Sequence, residues 1–214
     1  PPSYEQHVES MKEFGLTPAQ DTPLELEIEQ EVLKETSLFI SPIRRGAQAF
    51  CKDKGVSMDR MCIAPYGISV SGDVEDLKPE GVRCLYVSQV GPGKGHHHLL
   101  YAWSMQSKPE WGLILLGQGT MELSVSGIGI EQRERLTNAR GKGRVSQEEL
   151  MTSFGWSNIY LHPSVSETFG LSAIEAMSFG RPIIVHEGAG VSEYIDDGKV
   201  GFVVMNASEM LEGV

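Results

Sequence analysis

The chain has 214 residues, 40% of them apolar and 22% charged, and a net charge of −11. That length holds one large domain or one and a half small ones, in a composition ordinary for globular proteins. The acidic balance excludes the basic footprint that nucleic-acid binding needs, and no apolar run reaches the ~18–20 residues of a bilayer span.

The charge is uneven. Residues 1–40 hold nine acids against two bases, Lys12 and Lys34, a net −7 that leaves −4 for the rest of the chain. Such a run reads as a solvated helix face. Neither Pro1-Pro2 nor the stretch after Met205 resembles a natural domain end, so a piece of a longer protein is expected. Cys51, Cys62 and Cys84 are widely spaced and fit neither a CxxC metal site nor an even disulfide framework. They read as buried thiols in a reducing compartment.

Thr22-Pro23-Leu24-Glu25 is a helix start: a Thr cap, Pro at the first helical position and Glu reaching back from the third. It predicts a helix to about Thr36, followed by a short strand over Ser37–Ser41. A second helix, about Arg44 to Lys54, should stop at Gly55, and Met61–Ala64 is a strand ended by the Pro65-Tyr66-Gly67 turn. Residues 70–80, polar and turn-rich, make the best linker. Beyond Val82 the pattern is regular. Strand-like runs at Arg83–Val87, Gly112–Leu116, Asn158–His162, Pro182–Val185 and Val200–Val204 alternate with helical stretches at His97–Met105, Gln147–Phe154, Ser172–Phe179 and Ser192–Ile195. The runs are continuous and apolar, as strands covered on both faces are. The expected fold class is therefore α/β, a doubly wound parallel sheet with flanking helices and right-handed crossovers. Ligands of such sheets bind at the carboxyl ends of the strands, where every motif below falls.

Ser88-Gln89-Val90-Gly91-Pro92-Gly93-Lys94-Gly95 follows the first strand of this region. A Walker P-loop fails, because Ser occupies position 88 and Gly position 95. A dinucleotide fingerprint fails because His occupies position 96, and Leu116-Gly117-Gln118-Gly119 fails it at Glu122. What survives is Lys94 in a flexible loop before a helix, able to neutralise a phosphate or simply to be solvated. His96-His97-His98 points three ways at about 100° each and has no Cys, Asp or Glu nearby, so no metal site is expected.

Pro163 to Pro182, PSVSETFGLSAIEAMSFGRP, carries the most chemistry. Glu167 and Glu175 are eight positions apart, which on one helix would turn them about 80° from each other. Gly170 more readily makes the turn into the helix, leaving Glu167 on a loop at a strand end. Acidic side chains for hydroxyls, beside a helix start whose N–H groups suit phosphate, match a sugar nucleotide. For Glu175 a structural alternative stands beside this: Ser172-x-x-Glu175 is itself a capping box.

Glu167-x7-Glu175, with Pro163-Ser164, Phe169-Gly170-Leu171, Glu175-Ala176-Met177 and Gly180-x-Pro182, resembles the donor-site signature of GT-B glycosyltransferases of the retaining family 4 type, the glycosyl transferases group 1. Pro65-Tyr66-Gly67-Ile68, Lys94-Gly95, Leu116-Gly117-x-Gly119, Gly190-x-x-Glu193-Tyr194-Ile195 and Asp197-Gly198-x-x-Gly201-Phe202-Val203-Val204 match in order, so the resemblance covers about residues 37–204. It implies a Rossmann-like donor-binding domain over 76–214, preceded by a remnant of the acceptor-binding domain and its linker over 1–75.

The resemblance further implies a hexosyltransferase that moves a sugar from a nucleotide diphosphate to an acceptor hydroxyl with retention. Glu167 and Lys94 would be the catalytic pair: Glu167 holds hydroxyls of the transferred sugar, and Lys94 supports the leaving diphosphate. Backbone N–H groups around Thr168, Phe169, Gly170 and Leu171 would bind the diphosphate, Glu175 the ribose, and Arg144 and Val145 would flank the base. No metal or other cofactor is implied. The partners would be a nucleotide sugar and a sugar, lipid-linked or other hydroxyl acceptor, with no nucleic acid. A cytoplasmic location follows, including the cytoplasmic face of a membrane reached through the preceding domain. Two positions depart from the family. Gln89 stands where Arg is common, removing one cationic phosphate contact worth on the order of a few kcal/mol. Ser69 stands where Asp is frequent. As a fragment the chain should bind donor but transfer poorly. Two other readings remain: a degenerate, non-catalytic sugar-nucleotide module, motivated by Gln89, and an NAD-binding oxidoreductase domain, against which the failed glycine fingerprints count.

Overall fold

The computed structural model of the chain describes residues 12, 22–69, 80–121, 131, 134–136, 138–196 and 198–214. The first helix, α1 (Pro23–Glu35), starts as its sequence dictates. Thr22 Oγ1 accepts from the Glu25 N–H at 3.3 Å, and a Glu25 carboxylate oxygen accepts from the Thr22 N–H at 2.7 Å. Leu24, Leu26, Ile28 and Val32 on it are all exposed. Strand β1 (Phe39–Ser41) pairs in parallel with β2 (Met61–Ile63) in a two-stranded sheet, joined through α2 (Arg44–Lys54), which stops at Gly55. Arg60 ties α1 to this unit: its guanidinium donates to the carbonyls of Leu33 and Thr36 and lies 5.2 Å over the Phe39 ring.

The larger sheet has six parallel strands in the order β5-β4-β3-β6-β7-β8. They are β3 (Arg83–Val87), β4 (Gly112–Leu116), β5 (Ala139–Gly143), β6 (Ile159–His162), β7 (Ile183–His186) and β8 (Gly201–Val204). Helices α3 (His96–Gln106) and α6 (Ala207–Glu212) cover one face, where Trp103, Leu99 and Met210 pack against Cys84, Tyr86 and Ile184. Helices α4 (Gln147–Trp156) and α5 (Leu171–Ser178) cover the other, where Phe154, Ala173 and Ala176 meet Leu85, Ile183 and Val185. Successive strand residues thus alternate between two cores, which is why the runs are apolar throughout rather than every second residue. This is the doubly wound arrangement expected from the sequence.

Several expectations need correction. Strand β5, Ala-Arg-Gly-Lys-Gly, lies at the sheet edge, where charges are tolerated and Arg140 and Lys142 face outward, so it gives no apolar run. The segment expected as a helix at Ser192–Ile195 is a 3-10 turn over Gly190–Tyr194, and α6 has no counterpart in the expected elements. Cys51 and Cys84 are buried thiols, but Cys62 is exposed, because β2 belongs to the small sheet with only partial cover. The expected linker lies outside the described residues except for Glu80.

The chain runs from β3 outward to β5, then returns to place β6 beside β3 and continues to β8. The winding direction therefore reverses between β3 and β6, and a crevice opens at their carboxyl ends. The small sheet docks beside this crevice. Glu193 accepts from the N–H groups of Arg44 and Arg45 at 2.9 and 2.8 Å, capping α2 from a residue 148–149 positions away. The Arg45 guanidinium bonds the Glu187 carbonyl and Ser192 Oγ, each at 2.9 Å, and the Tyr194 hydroxyl bonds the Pro42 carbonyl.

Candidate functional site

Two loops meet in the crevice. After β3 the backbone is pinned by the Ser88 N–H on the Leu116 carbonyl and the Val90 N–H on the Gln118 carbonyl. A single 3-10 turn, Pro92–Lys94, follows, and Gly95 (φ 66°) swings the chain into α3. After β6, residues 163–170 run between this loop and the one beyond β7. The Ser166 N–H donates to the Gly93 carbonyl at 3.2 Å, while the N–H groups of Gly190 and Val191 donate to the carbonyls of Glu167 and Phe169. Phe169 is 3% exposed, its ring set edge-on to Tyr66 at 5.3 Å and to Tyr194 at 5.9 Å. Gly170 then takes φ 107°, closed to most side chains, and opens α5.

The consequence is a direct ion pair between Lys94 Nζ and a Glu167 carboxylate oxygen, joining positions 73 residues apart. Their side chains are 25% and 21% exposed, so the pair sits at the crevice wall rather than in open solvent. Of the residues singled out in the sequence, these two meet side chain to side chain. Thr168, exposed, and Phe169 through Leu171 form the turn directly beyond Glu167. No side chain caps α5, so its first N–H groups have no side-chain acceptor.

That geometry disposes of the capping box at Ser172. The cap is Gly170, Ser172 lies inside the helix, and its Oγ accepts from the Tyr160 hydroxyl at 2.8 Å. Glu175 is therefore left without that structural task. It is half-buried, and burial pushes its carboxyl above the usual carboxylate range. Tyr160 marks the centre of the arrangement. Burial pushes its phenol up, its bonds to Ser172 and the Val87 carbonyl work the other way, and both Glu175 and Glu167 lie near enough to disfavour its ionisation further.

The remaining candidates sit at neighbouring strand ends. Gln89 is exposed after β3. Arg144, exposed after β5, donates to the Gln118 side chain at 2.8 Å, and Gln118 in turn holds Val90, so Arg144 connects to the β3 loop through one residue. Val145 is half-buried against the core around Leu116 and Phe154. His96 and His97 are buried in the first turn of α3, with ring centroids 5.3 Å apart. Among the described residues no group of three His, Cys, Asp or Glu side chains could hold a metal ion. A pocket of about 280 Å3, lined by His98, Tyr101, Val165, His186 and Asn206 among others, lies beyond the Pro163–Val165 segment and includes neither Lys94 nor Glu167.

Tyr160 and His162 were missed by sequence reasoning. The available signal was polar-tipped residues inside or ending otherwise apolar strands, which at a strand's carboxyl end face the ligand crevice. Taken together, the crevice offers a cation, two carboxylates and an uncapped helix start, groups that suit an anionic polyol such as a phosphorylated sugar. Among the described residues no helix is long and apolar enough to cross a membrane.

Comparison with known proteins gives a consistent picture. The family model for glycosyl transferases group 1 matches residues 73–212. A D-inositol 3-phosphate glycosyltransferase from Paenarthrobacter aurescens is 24% identical over 192 residues, which is 82% of this chain and 47% of that protein. The chain spans about half the length of the curated relatives it matches. Among solved structures, the Anabaena protein HepE in complex with UDP and glucose superposes with a TM-score of 0.69 at 18% identity, over 90% of this chain and 56% of that one. Sucrose-phosphate synthase from Thermosynechococcus elongatus gives 0.72 at 22% identity, over 96% and 55%.

Proposed function

The chain belongs to the glycosyl transferases group 1 family and has the Rossmann-like fold of a GT-B domain, and on that premise we propose that it supplies the donor half of a retaining hexosyltransferase. The observation that carries this reading is the Lys94–Glu167 pair at the point where the sheet reverses its winding. In the free protein the two groups satisfy each other. A nucleotide-diphosphate sugar would part them, its phosphates taking Lys94 and its sugar hydroxyls taking Glu167.

In this mechanism Lys94 and the N–H groups at the start of α5 hold the diphosphate as it gains negative charge on leaving. Glu167 orients the sugar ring through hydrogen bonds to its hydroxyls, with Thr168 beside it. Glu175, free of capping duty, would hold the ribose, and Arg144 with Val145 would border the base. The acceptor hydroxyl, a sugar, lipid-linked or other alcohol, would arrive from a domain preceding this chain. Residues 1–75 read as the remnant of that domain and its linker. The two-stranded sheet and the exposed Leu24, Leu26, Ile28, Leu38 and Ile40 support this, because two strands alone are too few to stand as an independent layer. No metal or other cofactor enters the scheme. The natural location would be cytoplasmic, with peripheral attachment at a membrane depending on the preceding domain.

Calorimetry with UDP, GDP and ADP and their sugars tests the donor site. One nucleotide series should bind, and Glu175→Ala should weaken it by about 10- to 100-fold, the loss of one or two hydrogen bonds to a charged acceptor. Failure of all three series to bind sinks the reading. A second reading, a degenerate module that binds but does not transfer, is favoured by exposed Gln89 in place of the usual Arg. Gln89→Arg in the full-length protein separates the two. A large rise in donor hydrolysis from near zero indicates degeneracy, and no gain indicates an active enzyme adapted to Gln.

A further inference from the structure

Strands β3 and β6 part early. Their register pairs Cys84 with Ile159 and Leu85 with Tyr160, while β3 stays paired to β4 as far as Val87 with Leu116. The crevice opens beyond that parting, and a buried side chain spans the gap beneath it. Tyr160, 0% exposed in β6, brings its hydroxyl to 3.2 Å from the Val87 carbonyl oxygen at the end of β3. The same hydroxyl lies 2.8 Å from Ser172 Oγ on the first turn of α5.

Packing alone does not require this hydroxyl. The ring sits in an apolar cluster with Leu85, Phe154 and Ala173, its centroid 6.3 Å from that of Phe154, and a phenylalanine would fill the same space. A buried hydroxyl is destabilising unless it is bonded, so it serves where polar partners stand at fixed points. Here the partners belong to the two walls of the crevice. Val87 leads into the loop that ends at Lys94, and Ser172 follows the Gly170–Leu171 turn, where no side chain caps the helix. Burial disfavours ionisation of the phenol, so it keeps the proton that it donates toward both oxygens.

We propose that Tyr160 is a positioning residue for the diphosphate: its hydroxyl ties the start of α5 to the end of β3, so that the helix N–H groups and Lys94 close on the same phosphates. This rests on the donor reading above and adds to it a residue outside the Glu167–Glu175 signature, one that touches neither sugar nor phosphate. Ser172 is the other half of the tie. Without it, this end of α5 is held by the apolar contacts of Ala173 and by the Val191 N–H on the Phe169 carbonyl. Apolar contacts have no direction and tolerate sliding that a hydrogen bond does not. Misplacement by about 1 Å is enough to weaken a site by up to 100-fold.

Calorimetry of UDP, GDP and ADP, with urea unfolding alongside, tests this on wild type, Ser172→Ala, Tyr160→Phe and the double variant. Ser172→Ala cuts the tie while the phenol keeps the Val87 carbonyl as its acceptor. Its urea midpoint should therefore change little, while diphosphate affinity falls by about 10-fold. Tyr160→Phe should weaken binding by a similar factor, and the double variant by no more than either single one, as members of one network do. Wild-type affinity in either single variant overturns the proposal. Losses that add in the double variant also overturn it, because Ser172 would then act on the phosphates by itself. In both cases wild type still binds and the donor reading stands. No binding of any of the three nucleotides to wild type overturns both. Should Tyr160→Phe not fold, amide NMR of ligand-free Ser172→Ala decides. Resonances of the β3 loop from Ser88 to Lys94, across the tie, should shift, and unmoved resonances there overturn the proposal.

Discussion

Gly95→Ala is expected to destabilise the protein by about 3 kcal/mol or more, well beyond the ordinary effect of a methyl group at a helix end. Two causes add. Gly95 holds φ 66°, where an alanine is disfavoured by roughly 1–2 kcal/mol. A Cβ there would also sit 2.0 Å from the Pro163 carbonyl oxygen and 2.7 Å from its carbon. Both are backbone atoms, so relief requires moving one loop away from the other by about 1 Å. Those loops carry Lys94 and Glu167, so nucleotide affinity should fall by about 100-fold or more, consistent with the sensitivity of sites to misplacement on this scale. Gly55 supplies the control. It has nearly the same φ, 67°, at the end of α2, but nothing lies within 4 Å of its added Cβ. Gly55→Ala should therefore register backbone strain alone, about 1 kcal/mol, and leave binding untouched. Denaturant midpoints for the two variants give the comparison. Equal losses at Gly55 and Gly95 would show that the close approach to Pro163 does not govern this loop.

The contrast between local and distant information runs through the whole molecule. Strands β3 and β4 begin and end where their apolar runs do, because residues on both faces are buried and each has to be apolar. The α1 cap and the stop of α2 at Gly55 are legible for a similar reason, since both ends are decided within four residues of chain. Strand β5 was invisible because an edge position needs no apolar face, and its pairing with β4 is a property of the sheet rather than of Ala139–Gly143. At the site, Glu167 and Lys94 were each legible as candidates, but their ion pair was not. Seventy-three residues separate them, and only the return of the chain to place β6 beside β3 brings them together. The Ser172-x-x-Glu175 pattern failed in an instructive way. A local rule predicted a cap, but Gly170 took that place and Tyr160, from the neighbouring strand, claimed the serine hydroxyl. Glu193 is the reverse case, an exposed acid whose task no local pattern shows, since it caps a helix far from it in sequence.

Stability should fall steeply as pH drops from about 6.5 toward 4, and buried histidines should be the reason. Burial lowers His96 and His162 each to about 4 and lowers His186 as well. In the unfolded chain the same imidazoles titrate near 6.5. Between those values the unfolded state binds protons that the native state refuses, so stability rises with pH across this window and is lost on acidification. Each of the two strongly shifted histidines contributes up to about 3 kcal/mol by pH 4. Together they approach the whole stability of a typical domain, about 5–15 kcal/mol. Glu175 works in the opposite sense, since its raised pKa favours the native state as it protonates, but a single half-buried carboxyl offsets only part of the loss. Urea unfolding at half-unit steps of pH should show the midpoint collapsing over this range, with His96→Gln and His162→Gln each flattening the curve. An unchanged slope in both variants would remove the buried histidines as the cause.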